Sequence, residues 1–467
     1  MLCLNNLLKI RNTIQLKLMV NNLMWNKICW PKVIANVEKN QKAIYIASAK
    51  GDIQLLRLHQ QTLLNSKQAK LFAVYKAIQL KTANIKPQNT RKINFETSTF
   101  DNLLLLVLQP EWEAKTQSNC YGFKRGYDIN QALLKTYATL SHDVSYENAV
   151  ILSGQINNIL DNLDPLIITQ KSGYKGFFKK YLVNRLNDVN LSDSANLVNP
   201  KFQFDSIITI SKHNIGFIFS AILIHGFEDS LIWFLIQKQK LYINEQIHAN
   251  FRAKVISYAN HFIIIFSFND VENIIAAIRF LDIFLLSIKS KFNTNLIQVR
   301  SIYEGFDFLG FNFQRLKNYK NWNHENTKLF IKPTKKNIKK HLLSIRKCLY
   351  HKDRLNRWRA NSSMKQYQVI TKLNPLINSF ANYYHCLTPL FILKRIDRTI
   401  NEMIYRYAIK KYKSGRYDKW KKNWTQVING KRVIAYYDEM TQQFKPLNLH
   451  YSYKKDKLRK LDQYYFY

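Results

Sequence analysis

The side chains of this 467-residue chain that could do chemistry are mostly cations, with Lys and Arg at 71 against 31 Asp and Glu and a formal net charge of +40. A field of that sign attracts polyanions, either nucleic acid or an anionic membrane surface, and a small acidic metabolite would not require it. Two stretches concentrate the charge. From Lys410 to Trp424 the cations Lys410, Lys411, Lys413, Arg416, Lys419, Lys421 and Lys422 interleave with Tyr412, Tyr417, Trp420 and Trp424. Such cations can neutralise phosphates while the rings stack on bases, or the rings can belong to a core beneath a solvated helix end. Between residues 335 and 349, Ile338, Leu342, Ile345 and Leu349 share one helical face, and Lys335, Lys336, Lys339, Lys340, Arg346 and Lys347 occupy the others. Those six could grip phosphates or form an ordinary solvated face.

Other chemistries find little support. His261 could serve as a general base near neutral pH, but no carboxylate or nucleophile accompanies it in the pattern, so it reads as a structural histidine in a turn. The chain has only 12 glycines and no G-x-x-x-x-G-K-[ST] or G-x-G-x-x-G run, which argues against an ATPase or a dinucleotide enzyme. Its five cysteines, Cys3, Cys29, Cys120, Cys348 and Cys386, show no metal-ligand spacing and read as free buried thiols in a reducing compartment. The apolar runs at 217–227, 231–236 and 262–268 are shorter than a membrane span requires and read as core strands or helices, so no membrane partner is expected.

The elements that must position these residues are legible in outline. Short helices are expected over 33–50, 53–64 and from Ser66 onward, broken at Gly51-Asp52. A polar loop is expected over 81–97, and the apolar run Leu103 to Leu108 is expected to end at Pro110. Ile207 to Ile210, Val255 to Tyr258 and Ile263 to Phe266 read as strands, the last two joined by a hairpin turn at Ala259-Asn260-His261-Phe262. Residues 271–291 return to helical spacing. Phe306, Phe308, Phe311 and Phe313 give the core side of a strand with one break, and Asp307 beside them reads as a turn and packing residue. The sum is an α+β protein with a central sheet and a basic helical C-terminal part. Residues 1–31 carry four cations and no acid, yet lack the serines of a transit peptide and read as part of the protein.

Four segments in order resemble the reverse transcriptase/maturase encoded by group II introns. Ala47-Ser48-Ala49-Lys50-Gly51-Asp52 with Leu63 to Val74 is similar to its opening helical region. Leu108-Gln109-Pro110-Glu111-Trp112-Glu113-Ala114-Lys115 with Tyr121-Gly122-Phe123-Lys124-Arg125-Gly126 resembles its fingers signature. Gly305-Phe306-Asp307-Phe308-Leu309-Gly310-Phe311 matches its G-F-D-F-L-G-F motif, and Leu373 to Tyr384 is similar to the maturase-specific domain X. The resemblance implies a right-hand fold with fingers and palm around a central antiparallel sheet, then a helical thumb and domain X. The implied division is 1–80 (N-terminal helices), 81–310 (fingers and palm), 311–365 (thumb), 366–440 (domain X) and 441–467 (basic aromatic tail).

Where the family holds Mg²⁺ on aspartates, this chain departs. The Y-A-D-D hairpin reads Tyr258-Ala259-Asn260-His261, and Gln155 stands at the metal-binding position of the D-I-x-x-x-F-D strand, while Asp161 retains a carboxylate not implied as a principal ligand. Amides bring no charge to Mg²⁺ and imidazole is a softer ligand. The expectation is therefore a splicing cofactor with no catalytic residues and no cofactor, taking Mg²⁺ only if polymerase activity persists. Many relatives carry a cysteine-bearing endonuclease, and no cysteine follows Cys386, so DNA cleavage is not expected. The expected partner is group II intron RNA, its own host intron first, contacted by Lys124, Arg125 and the cations of 335–347 and 410–422 together with Trp420. The pattern sets no oligomeric state. Lys, Asn, Ile, Phe and Tyr, all with A/T-rich codons, point to an organelle genome, plastid ahead of mitochondrion. Competing readings are an active RNA-directed DNA polymerase with a displaced metal site and a general organellar RNA-binding protein.

Overall fold

A computed structural model describes residues 28–83, 95–156 apart from 123 and 125, 165–174, 183, 215–242, 252–288 apart from 269, 297–316, and 328–454 apart from 413 and 429. The expected strand at 207–210, Asp161, Arg125 and Lys413 lie outside these residues.

Three helices open the described chain: α1 (Trp30–Ala49), α2 (Ile53–Asn65) and α3 (Lys67–Ala83). Gly51 takes a positive φ of 75° to end the first, and Asp52 caps the second by accepting from the Leu55 amide at 3.0 Å. The loop expected over 81–97 is shortened from both sides, because α3 reaches Ala83 and α4 begins at Phe95. The break expected at Pro110 is absent, and α4 (Phe95–Lys115) runs through it. Proline removes the amide that would bond the Leu106 carbonyl, and the buried Gln41 side chain supplies that bond instead, its Nε2 donating at 2.8 Å.

The next elements are α5 (Ile129–His142), β1 (Val150–Gln155), α6 (Pro165–Ser172), α7 (Ile215–Ile224), α8 (Phe227–Tyr242), β2 (Ala253–Tyr258), β3 (His261–Phe266), α9 (Val271–Ser287) and β4 (Gln298–Ser301). The strands form one antiparallel sheet in the order β2-β3-β1-β4. Both faces are buried. Val150, Leu152, Val255, Phe262, Ile264 and Phe266 pack into a core shared with α1, α2, α4, α7, α8 and α9. The alternating Ile151, Ile256, Tyr258, Ile263 and Ile265 face a second core with α5 and the later elements. Period-two alternation between two apolar layers accounts for the unbroken Ile263-Ile264-Ile265-Phe266 run. The segment Ile218–Lys238 is long and apolar enough to cross a membrane by length and composition. Its chain breaks between α7 and α8 at Gly226, φ 84°, and Ile218, Phe219, Ile222, Leu231 and Leu235 fill the first core.

A buried carboxylate braces this half. Glu111 accepts from Lys115 Nζ at 2.6 Å, Gln60 Nε2 at 2.7 Å, the Tyr174 hydroxyl at 2.7 Å and Arg57 Nη1 at 3.2 Å. That cluster ties α2 and α4 to the residues after α6, and burial together with the Glu111 charge pushes the Tyr174 hydroxyl well above its ordinary pKa. In the sequence Glu111 stands out only as one member of a motif.

Beyond the sheet, β5 (Phe306–Phe308), β6 (Phe311–Leu316) and β7 (Lys328–Pro333) form a second antiparallel sheet. The one break in the phenylalanine spacing is the turn Leu309-Gly310, both at positive φ, and all four rings are buried. A domain boundary after 310 would therefore cut a hairpin. Asp307 is no turn residue; it is an exposed strand position whose Oδ1 accepts from Nδ2 of the cross-strand Asn312 at 2.8 Å.

The remainder comprises α10 (Lys335–Leu349), a hairpin of β8 (Tyr350–Lys352) and β9 (Trp358–Ala360), α11 (Gln366–Tyr384), α12 (Leu390–Ile409), α13 (Arg416–Trp424), and a sheet of β10 (Thr425–Ile428), β11 (Lys431–Asp438) and β12 (Gln443–Pro446). The stretch expected as a tail from 441 is packed with this unit as far as it is described: β12 pairs with β11, and Leu447 and His450 are buried. Among the described cysteines only Cys120 is buried, while Cys29 is exposed, which corrects the uniform buried-thiol expectation. The mixture of helices with small antiparallel sheets agrees with the α+β class.

Candidate functional site

The three departure positions meet at one corner of the central sheet. Gln155 ends β1 directly opposite His261 at the start of β3, and Ala259-Asn260 form the two-residue turn between β2 and β3. The Ile156 amide donates to the Asn260 carbonyl at 2.8 Å, holding the turn against the end of β1. Ala259 sits at φ 52°, in the left-handed region that residues bearing a Cβ seldom adopt.

The Tyr121-Gly122 motif lies against this corner. The Tyr121 amide donates to the Ser257 carbonyl at 2.9 Å and the Ser257 amide to the Asn119 carbonyl at 3.1 Å, a short parallel addition to β2. Gly122 approaches so closely that a Cβ on it would stand 2.1 Å from the Ala259 nitrogen. Only glycine fits there, for want of space and not for backbone freedom.

The donors at this corner are two neutral amides and an imidazole that desolvation holds neutral, with the His261 pKa lowered to about 4. Mg²⁺ wants charged oxygen ligands, so these three side chains do not fit it. Among the described residues no group of three His, Cys, Asp or Glu side chains is placed to hold a metal ion. The corner can exchange hydrogen bonds with a polar ligand and leaves phosphates unopposed by negative charge from these positions.

The cations divide into those turned outward and those already engaged. On α10, Lys335, Lys336, Lys339, Arg346 and Lys347 are exposed and Lys340 is half-buried. Thr334 caps this helix, its Oγ1 accepting from the Asn337 amide at 3.3 Å, and its first turn holds lysines and no acid. Positive charge at a helix N-terminus opposes the helix dipole, so helix stability does not account for these lysines, whereas an anionic partner would. The buried stripe of α10 is also richer than its apolar pattern. His341 lies in it, stacked on Phe380 at 4.2 Å between centroids, with Nε2 3.0 Å from His450 Nε2. His450 Nδ1 in turn lies 2.6 Å from Asp397 Oδ1, which also accepts from the His450 amide at 3.0 Å. A lone histidine in a basic helix gives no sequence signal for this relay, since its partners are on α12 and beyond β12.

Around α13, Lys410, Arg416, Lys419, Lys421 and Lys422 are exposed. The aromatics here serve the core: Trp424 is buried, Trp420 is half-buried and stacks on it at 5.8 Å, and Trp424 Nε1 donates to the Tyr412 hydroxyl at 3.1 Å. Tyr417 is the exposed ring of the set. Lys411 turns inward to the Met364 carbonyl, lies 5.2 Å over the Tyr407 ring, and has its pKa lowered by desolvation. Lys124 likewise donates to the Gln117 carbonyl at 2.7 Å, and burial lowers its pKa. These two ammonium groups are spent inside the protein, and Trp420 stands partly beneath the surface that the sequence pattern assigns to it.

Two sequence motifs meet face to face. The Tyr383 hydroxyl of α11 donates to the Leu309 carbonyl at 2.7 Å, and Asn337 Nδ2 on α10 donates to the Tyr384 hydroxyl at 2.7 Å. A Cβ on Gly310 would stand 2.8 Å from Asn337 Nδ2 and 2.9 Å from that hydroxyl. The β5–β6 hairpin is thereby bolted to α10 and α11. On the same α11, Asn374 Oδ1 accepts from the Asn448 amide at 2.9 Å and Asn378 Oδ1 from Asn448 Nδ2 at 2.6 Å.

Residues 349–425 match the family model of the group II intron maturase-specific domain, and residues 25–98 match that of the N-terminal domain of reverse transcriptase. The two matched stretches cover about a third of the chain and support its likeness to intron maturase and reverse transcriptase proteins. No curated protein matches it.

Proposed function

We propose that this protein is a maturase that binds folded group II intron RNA and stabilises its splicing-competent form. The matched maturase domain with exposed lysines at the opening of the adjoining α10 supports this most directly. Chemistry then belongs to the RNA and its Mg²⁺, and the protein contributes differential affinity for the active fold. The sheet would serve as a palm-like scaffold between helical fingers and a thumb-like α10. The neutral corner of Gln155, Asn260 and His261 supports loss of reverse transcriptase activity. The host intron is the first partner and a plastid the first compartment, on the codon argument above.

Self-splicing of the surrounding intron at low Mg²⁺, with and without purified protein, tests this reading. Faster splicing with protein is the expected result, and an unchanged rate overturns it. Primer extension on an RNA template tests the loss of polymerase activity separately: no cDNA is expected, and Mg²⁺-dependent cDNA would show that the site retains catalysis.

A further inference from the structure

Between α10 and the β8–β9 hairpin lies a cleft of about 550 Å³, lined by Leu343, Lys347, Tyr350, His351, Lys352 and Trp358. That volume is within the roughly 300–1,000 Å³ of small-ligand sites. Its walls are of two kinds. Leu343, 41% exposed, and the half-buried Tyr350 and Trp358 form an apolar side. Arg346 lies 4.6 Å over the Trp358 ring, Lys352 5.7 Å from the same ring, and Lys410 5.4 Å over Tyr350. Between residues 346 and 359 the chain holds six Lys and Arg and a single acid, Asp353. That carboxylate is occupied by Arg357 Nε at 3.0 Å and Arg359 Nε at 3.1 Å. The cleft therefore combines stacking surfaces with a rim of unopposed cations, among them the exposed Lys347 and Lys352.

We propose that this cleft binds one unpaired nucleotide of RNA, its base packed against Trp358, Arg346 and Tyr350 and its flanking phosphates met by Lys347 and Lys352. Bases in an A-form helix are stacked away and cannot enter such a cleft, whereas a base in a loop or bulge can, and tryptophan rings and arginine planes are both stacking platforms. An apolar ligand without charge would leave the cationic rim unused. The site rests on the RNA-binding reading above and adds to it a base-dependent interaction that general phosphate attraction lacks.

The test compares two probes on the full chain: an oligoadenylate of about ten nucleotides, inside the roughly 4–16 nucleotides that single-strand sites cover, and an abasic oligomer of equal length. Trp358→Ala should weaken the oligoadenylate about 5- to 150-fold, the range expected for one stacked base, and leave the abasic probe unchanged. Trp358→Phe should recover most of the loss. Lys347→Ala with Lys352→Ala should weaken both probes and reduce the salt slope by about 1.4, at about 0.7 per single-strand phosphate neutralised. Equal losses on both probes with Trp358→Ala, or none on either, overturn the site. Should Trp358→Ala fail to fold, photo-crosslinking of the unaltered chain to an oligomer bearing 4-thiouridine decides: attachment within residues 350–358 supports the site, and attachment only elsewhere refutes it. A Trp358→Ala chain that still promotes splicing and shows no base-dependent drop in affinity leaves the maturase reading standing while this pocket falls.

Discussion

At the corner of the central sheet the decisive quantity is charge. Gln155, Asn260 and His261 converge there without a formal charge among them, because burial keeps the imidazole neutral. Introducing carboxylates with Gln155→Asp, Asn260→Asp and His261→Asp together should weaken intron binding by about tenfold or more at low salt, by repulsion of phosphates, and less at high salt. Filter binding at two salt concentrations checks it, and equal affinity would sink the idea. Gly122→Ala should destabilise the protein by about 1–3 kcal/mol, since its methyl must displace the Ala259 backbone, and thermal melting measures this. The motif containing Gly122 is visible in the sequence, whereas the reason for the glycine is not. Its neighbour is far along the chain, and no local propensity signals a close approach.

Elements are more legible than their joints. The helices α1, α2 and α9 follow from periodicity, and the expected hairpin between β2 and β3 is present with a tighter turn: Ala259-Asn260 alone, since His261 and Phe262, expected in the turn, open β3 and pair with β2 and β1. Pro110 misleads because the bond that rescues α4 comes from Gln41 on another helix. The apolar stripe of α10 can be read from spacing, but the histidine buried within it cannot, because a polar residue in a basic helix looks like part of the solvated face. That histidine links α10 to α12 through His450 and Asp397, and desolvation first, then the neighbouring His450, lowers its pKa to about 2. The folded state thus binds fewer protons than the unfolded chain below the ordinary histidine pKa of about 6.5, so stability is present above that value and falls as pH drops through it. The slope from this group is about 1.4 kcal/mol per pH unit. Melting temperature should decline from pH 7 to pH 5, and His341→Gln should flatten the decline; a profile of unchanged steepness in that variant would assign the acid sensitivity elsewhere.

Across the whole molecule, the +40 charge becomes specific only through its distribution. The exposed lysines of α10 and α13 stand on the matched domain or beside it, while Lys124 and Lys411 are consumed internally. Composition can announce a polyanion partner but cannot separate the two groups, because both are lysines in basic, aromatic surroundings. Lys335→Ala, Lys336→Ala and Lys339→Ala combined should lower the salt slope of intron binding by about 0.7–0.9 for each phosphate no longer neutralised, with little change in melting temperature. An unchanged slope would place the phosphates on another face. The bolt formed by Asn448 and His450 bears on timing as well. Asp397 and the Asn374–Asn378 edge find these partners only after some fifty or more further residues are made, so on a translating ribosome the basic face of α10 is backed by a finished core only once residue 450 has emerged. If the protein binds intron RNA as proposed, a transcript meeting the nascent chain before then would find those lysines without that rigid support.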